Sequence, residues 1–283
     1  MPEVDLVAVV DTKPGRAAEI ASKHRTAPLT DALALIGRVD AVVIATPTVS
    51  HVESALAFVE AGVAVLVEKP IAANLAEADR LVEAAAARGT ALAAGHTERF
   101  NPAVAAGLKL VSNPRFIEIH RLGAFPERSL DIDVIFDLMI HDLDVLLASV
   151  GSDVTSVEAV GVNVLTPRVD IANARLRFSS GCIANVTASR ISRDRVRKAR
   201  FFQQDSYVSI DYAAQEVEAY RLVATNGGPP AIEGGRVDVV SEEPLRLELA
   251  DFVEAIRLRR QPAVTGRDGR AALALATRVA ELI

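Results

Sequence analysis

The sequence predicts an α/β protein, with a parallel-sheet domain over residues 1–100 and, over 101–283, an α+β domain with a large antiparallel sheet. Three observations carry that expectation. Short apolar runs alternate with helical stretches through the first hundred positions, which is the pattern of βαβ units. Beyond about residue 112 the pattern becomes short alternating segments split by turns such as Ser179-Ser180-Gly181, as in an antiparallel sheet with one covered face. The third is a single run, Val63 to Val67, that ends in Glu68-Lys69-Pro70. Its carboxyl end is where open α/β sheets place ligands, and charges there are hard to explain as packing.

The elements follow in order. Val4 to Val10 reads as a buried strand ending at Asp11, and Pro14 opens a helix to His24. Asp40 to Ala45 is a strand, and Ser50 reads as the N-cap of a helix to Ala61, closed by Gly62. After Val63 to Val67, Asn74 caps a helix to Arg88 closed by Gly89, and Ala91 to Ala94 starts a fourth strand. One long helix spans Ile132 to Ser149. Strands are expected at Thr155 to Leu165, Ala172 to Phe178, Ile183 to Ser189, Ala199 to Phe202, Tyr207 to Asp211 and Val217 to Leu222. A loop at 226–230 and helices over Leu245 to Arg259 and Gly269 to Ile283 finish the chain.

Composition bounds the function. Half of the 283 residues are hydrophobic and 24% are charged, the profile of a globular protein with a sizeable core. A net charge of -6 and a pI near 5.5 argue against nucleic acid as a partner. Cys182 stands alone, which excludes an intrachain disulfide and a cysteine metal cluster, and no metal site is expected. Met1-Pro2-Glu3-Val4-Asp5 does not resemble a basic, then apolar, leader, and no apolar stretch approaches the ~18 residues of a membrane span. A soluble, cytoplasmic protein is expected.

Several residue groups carry chemistry. Asp11 ends what would be the second strand of a dinucleotide-binding fold, where a carboxylate bonds ribose hydroxyls and favours NAD. Arg16 nearby keeps NADP open, and a plain turn Asp is the alternative. Thr46-Pro47-Thr48-Val49-Ser50-His51 puts exposed N–H groups ahead of a helix, suited to phosphate or ribose oxygens or to simple capping. Gly95-His96-Thr97-Glu98-Arg99-Phe100-Asn101 clusters polar side chains at a strand end, and Asn101 with Pro102 also fits a helix start. Asp137 and His141, four apart on one helix, share a face, with Asp144 close to it. An imidazole held by a carboxylate suits a general base near neutral pH; a surface Asp beside a helix His is the bland alternative. Ser189 to Arg200 holds six basic residues in twelve, suited to a diphosphate or to a guarded strand edge.

Glu68-Lys69-Pro70 closing a strand, with Asp137-x-x-x-His141 in a second domain, closely resembles the Gfo/Idh/MocA oxidoreductases, and the resemblance covers essentially the whole chain. Within that family the runs Gly95 to Val104, Asp133 to Asp144 and Thr187 to Phe202 look most like UDP-N-acetylglucosamine 3-dehydrogenases. The resemblance implies a Rossmann-type first domain, NAD as cofactor (or NADP), and a sugar-nucleotide substrate oxidised at a secondary hydroxyl. Another sugar or polyol is the alternative substrate. It implies Lys69, Asp137 and His141 as catalytic residues, and Asp11, Thr46, Pro47, His51, Glu68 and Lys69 on the cofactor. It further implies His96, Arg99, Asn101 and Asp144 on the substrate, with Arg193 to Arg200 facing the diphosphate or an oligomer contact. A homo-oligomer through the antiparallel sheet also follows from it.

The family opens with a strand and a G-x-G-x-x-G turn that holds the pyrophosphate. The first glycine here is Gly15, beyond Asp11. The Rossmann-type sheet is therefore expected to be incomplete, starting at an internal methionine and about thirty residues short, a whole βα unit. Sheet edges and apolar surface should be open between the strand ending at Asp11 and the one ending at Ala45. A cofactor-less descendant that binds sugar or protein is the competing expectation.

Overall fold

The computed structural model describes residues 1, 3–125, 132–225 and 228–283. In chain order its elements begin β1 (Ala8–Val10), α1 (Pro14–His24), β2 (Ala27–Leu29), β3 (Ala41–Ile44), α2 (His51–Glu60), β4 (Ala64–Glu68), α3 (Leu75–Arg88) and β5 (Leu92–Gly95). Next come α4 (Pro102–Leu108), β6 (Phe116–Leu122), a π-turn at Ile135–Met139, α5 (Ile140–Val150), β7 (Val154–Val162), β8 (Ile171–Phe178) and β9 (Ile183–Ser189). The chain ends with β10 (Val196–Phe202), β11 (Ser206–Asp211), β12 (Glu216–Val223), β13 (Ala231–Val237), α6 (Pro244–Leu258) and α7 (Gly266–Ala280). Asn226 and Gly227 of the expected loop, and Pro2 of the expected non-leader start, lie outside the described residues. Two compact units result: residues 1–95 with 248–270, and residues 96–247 with 271–283.

The strands of the first unit pair in parallel, with one isolated antiparallel bridge between Ala93 and Thr265, and its sheet is in two pieces. β1 pairs with β2, while β3, β4 and β5 form a separate sheet in that order. Val65, Leu66 and Val67 of the central β4 are buried between helices, and Phe252 of α6 packs on Ala64, Leu66 and Ala93. Local signals set the helix ends as the sequence predicts. Pro14 opens α1, the Asn74 Oδ1 accepts the Glu77 N–H at 3.0 Å at the start of α3, and Gly89 closes it with φ 67°.

Two expectations in this unit are corrected. Val4 to Val10 is not one buried strand: only Ala8–Val10 pairs, and Val4 and Leu6 are 43% and 49% exposed. The reason is that β2, three residues with Pro28 inside it, offers pairing to three residues only. A proline fits such an edge strand, which the sequence reading missed. Ser50 does not cap α2, because a 3-10 turn over Thr48–Ser50 runs straight into the helix and Ser50 adopts helical rather than extended angles. β1 and β3 each keep one edge unpaired among the described residues, and Val43 on β3 is 51% exposed.

The second unit is built on an eight-stranded sheet in the order β13-β12-β11-β10-β6-β9-β8-β7. It is mixed rather than purely antiparallel, since β6 and β9 run parallel. The chain returns from β6 to β9 through α5, β7 and β8, the long connection a parallel pair needs. β6 and β13 were not expected, although Phe116 to Leu122 alternates and buries Ile117 and Ile119 completely. One face packs on α5, α7 and the π-turn through Ile140, Leu143, Leu146, Ala272 and Val279. The opposite face carries a cross-strand ladder of Phe116, Phe202, Tyr207 and Tyr220, with ring centroids 5.7, 5.1 and 6.4 Å apart in turn. The expected single helix over 132–149 is a π-turn followed by α5. Asp137 lies inside that wider turn, and His141 is the second residue of α5.

Candidate active site

In the first unit the candidate residues gather at the carboxyl ends of β1, β3 and β4. Lys69, half-buried, follows β4 directly and is joined to Pro70 by a cis peptide bond. Beside it Glu68 lies against β5 so closely that a Cβ on Gly95 would stand 2.9 Å from its Oε2 and 3.0 Å from its Cα. Glycine is therefore what lets the Glu68 carboxyl fold across the strand end. His51, 1% exposed, has Nδ1 at 2.9 Å from the Pro70 carbonyl and Nε2 at 2.8 Å from the Thr46 carbonyl. A carbonyl only accepts, so in either neutral tautomer the ring donates to one of the two, and His51 lies packed between the loop after β3 and the loop after β4. Thr46 and Pro47 themselves are exposed. Asp11 follows β1, where its Oδ1 accepts the Lys13 N–H at 2.8 Å and its own N–H donates to Leu29.

In the second unit, His96 and the 3-10 turn Thr97–Phe100 face the start of α5. The His96 and His141 rings meet edge to face, with centroids 6.3 Å apart and planes at 85°. His96 is buried, whereas His141 and Asp137 are half-buried. Asp144, 1% exposed, receives the Arg99 guanidinium at 3.4 Å. Asn101 is fully engaged: its Oδ1 caps α4 at the Ala103 N–H and its Nδ2 donates to the Tyr212 carbonyl at 2.9 Å. The structure thus brings His96, Arg99, His141 and Asp144 together within one unit.

Sequence reasoning missed the residue beneath them. Arg121, at the third inward position of β6 after Ile117 and Ile119, grips Asp142 by two bonds of 2.7 and 2.8 Å. It also donates to Glu98 at 2.8 Å and lies 5.3 Å from the centre of the Tyr212 ring. A charge at an inward position of an alternating strand was the available signal. Burial pushes the Asp142 carboxyl up against the pull of Arg121. Burial also opposes the Arg121 charge, but Asp142 and then Glu98 outweigh it and hold the guanidinium protonated. Burial raises the Tyr212 hydroxyl well above its ordinary value, so it stays neutral.

Three of the six basic residues in the run Ser189 to Arg200, Arg190, Lys198 and Arg200, have ion-pair partners among the described residues. Arg190 binds Asp170 at 2.8 Å and the Ile132 carbonyl at 2.6 Å, and Arg200 binds Glu118 at 2.9 Å. Burial alone would raise Asp170, yet the Leu165 and Thr166 N–H groups, the Thr166 hydroxyl and Arg190 hold it below the ordinary carboxylate range. Burial pushes the Cys182 thiol up to about 11, which makes it no nucleophile near neutral pH. Among the described residues no cluster of three or more His, Cys, Asp or Glu is suited to a metal, and no helix is long and apolar enough to cross a membrane.

Residues 1–96 match the oxidoreductase family model described as an NAD-binding Rossmann fold, and residues 114–205 match the Gfo/Idh/MocA C-terminal domain. The chain belongs to the Gfo/Idh/MocA oxidoreductases. Among the family's curated proteins it is 40% identical to the UDP-N-acetylglucosamine 3-dehydrogenase of Acidithiobacillus ferrooxidans, over 97% of this chain and 88% of that one. The inositol 2-dehydrogenase of Rhizobium meliloti is 27% identical over 96% and 87% of the two chains. A solved structure of the Acidithiobacillus ferrooxidans enzyme superposes with a TM-score of 0.92 at 38% identity, covering 98% of this chain and 89% of that one. Levoglucosan dehydrogenase in complex with NADH and levoglucosan shares the fold, with a TM-score of 0.87 at 19% identity over 98% and 87% of the two chains.

Proposed function

We propose that the protein oxidises a secondary hydroxyl of a sugar nucleotide, UDP-N-acetylglucosamine at its 3-position, with NAD as hydride acceptor. The observation that carries the reading is the 40% identity, sustained over nearly the whole chain, to an enzyme named for that reaction. The strand-end residues suit the ribose and nicotinamide of a dinucleotide, while the G-x-G-x-x-G turn that holds the pyrophosphate in the family is not among the residues of this chain. Asp11 closes a parallel strand where ribose hydroxyls are held in such folds, and Thr46, Pro47, Glu68 and Lys69 line carboxyl ends of neighbouring strands. His51 serves that edge by packing between two of its loops. Bound NAD supplies the acceptor for the hydride.

The remaining chemistry falls to side chains. His141 takes the hydroxyl proton as the carbon–hydrogen bond breaks, leaving a ketone, one reduced cofactor and one proton. The Lys69 ammonium stabilises alkoxide character on the reacting oxygen. Asp137 orients the sugar, and Arg99, Asp144 and His96 contact the substrate, with Asn101 holding their turn in place. Arg193 to Arg200 lie on or beside β10, and the open sheet face with its aromatic ladder is the surface for a second copy of the chain, in the cytoplasm.

The test is an assay of reduced nicotinamide with UDP-N-acetylglucosamine, UDP-glucose and myo-inositol, each with NAD and with NADP. Turnover with the first sugar and NAD is expected. Turnover with myo-inositol alone would hand the site to polyols. Tight UDP-sugar binding by calorimetry without reduction of either cofactor would favour a non-catalytic binder.

A further inference from the structure

We propose that Arg121 is a positioning residue, which locks the Thr97–Phe100 turn against α5 and thereby sets the His96–His141 juxtaposition. Three elements meet in its guanidinium. Arg121 stands on β6, Asp142 on α5 and Glu98 on the 3-10 turn, and all three are joined by bonds of 2.7–2.8 Å. Asp142 is the residue after His141, and Glu98 lies two after His96 and one before Arg99. One side chain therefore grips both segments that carry the candidate chemistry, at positions adjacent to the groups that perform it.

The grip is geometrically restrictive. On an α-helix successive residues are turned by roughly 100°, so a fork fastened to Asp142 fixes the rotation at which His141 is presented. Asp144, three residues beyond His141, shares nearly that same face and meets Arg99 at 3.4 Å. Burial sharpens the restriction: Arg121 is 4% exposed and Asp142 fully buried, so water does not substitute for either partner. The Tyr212 ring covers the guanidinium, and the Tyr212 carbonyl holds Asn101 at the far end of the same turn. Buried ion pairs of this kind contribute little net stability compared with apolar packing, but they specify one arrangement. Here the arrangement specified is that of His96, Arg99, His141 and Asp144.

The test combines Arg121→Met and Arg121→Lys with the charge-neutral variant Arg121→Met/Glu98→Gln/Asp142→Asn, which leaves no buried carboxylate unpaired. The chain has five histidines, so labelled imidazoles are readily assigned. In the wild type a ring-to-ring nuclear Overhauser contact joins His96 and His141. In folded Arg121→Met or the triple variant that contact is lost, while the His51 resonances of the other unit do not move. Where the wild type turns over as proposed above, kcat falls about 10–100-fold with the NAD KM unchanged, and Arg121→Lys recovers part of it. This kinetic arm rests on the proposed function. Loss of the contact in a protein that shows no dehydrogenase activity would uphold the positioning role and remove that function. A folded variant that keeps both the contact and kcat overturns the role. So does failure of both Met variants to fold while Arg121→Lys keeps the full contact, which would make Arg121 a matter of stability alone.

Discussion

The two units solve the same problem with different reserves. In the second, eight strands form one hydrogen-bonded sheet, and its inward charges are gripped in pairs: Arg121 with Asp142 and Glu98, Arg190 with Asp170. In the first, the strands hydrogen-bond as a pair and a triple, with Val4, Leu6 and Val43 exposed and β1 and β3 each open on one edge. Its candidate residues sit at strand ends and on loops, with His51 packed between Thr46 and Pro70. Lys69 apart, the residues that meet substrate in the proposed reaction thus belong to the unit with the continuous sheet, and those assigned to the cofactor stand on strand ends of the divided one.

The largest effect that bears on this contrast is chemical. Lys69→Ala and His141→Ala should each lower turnover by about 10²–10⁴-fold without moving the melting temperature, as read from steady-state rates and thermal melts. If His141→Ala alone is damaging, Lys69 takes no part in the chemistry. Next comes stability. Asp170→Ala strands the buried Arg190 guanidinium and should cost about 3–5 kcal/mol in denaturant unfolding, whereas Val43→Thr, at an exposed site, should stay within about 0.5 kcal/mol. Equal costs would erase the distinction.

Acidity separates the units more finely. Because the folded state holds Asp170 below the ordinary carboxylate range, its contribution is complete above about pH 4. It is lost only as pH falls from there toward the depressed folded value. Asp170→Asn should therefore flatten the acid limb of stability below about pH 4 and leave its pH dependence near neutrality unchanged. The smallest effect is dynamic. Amides of β1 and β3 should exchange with solvent at least about tenfold faster than those of β6 and β9, which lie inside a continuous sheet.

Most of the fold was legible because periodicity and caps agree: Asn74, Gly89, Asn101 and Pro14 mark helix ends in sequence and structure alike. What escaped was decided by neighbours rather than local pattern. β2 is three residues with a proline, β6 pairs in parallel with a strand some sixty positions away, and the length of β1 is set by its short partner. The candidate site was legible where an unusual charge ended an apolar run, as at Lys69, or where a His and an Asp recurred on one helix. The π-turn that holds Asp137 and the Arg121 clamp escaped; the clamp depends on how the start of α5 is fastened to a distant strand.

One measurement bears on the central claim most directly: the reduced nicotinamide formed by the wild-type protein and by His141→Ala from UDP-N-acetylglucosamine and NAD, with the sugar product identified by mass and NMR. Formation of a 3-keto sugar nucleotide by the wild type, equimolar with reduced cofactor and at least about a hundredfold slower in the variant, is the predicted result. No reduction by a folded wild type that binds both compounds, or equal rates in the two proteins, would contradict it.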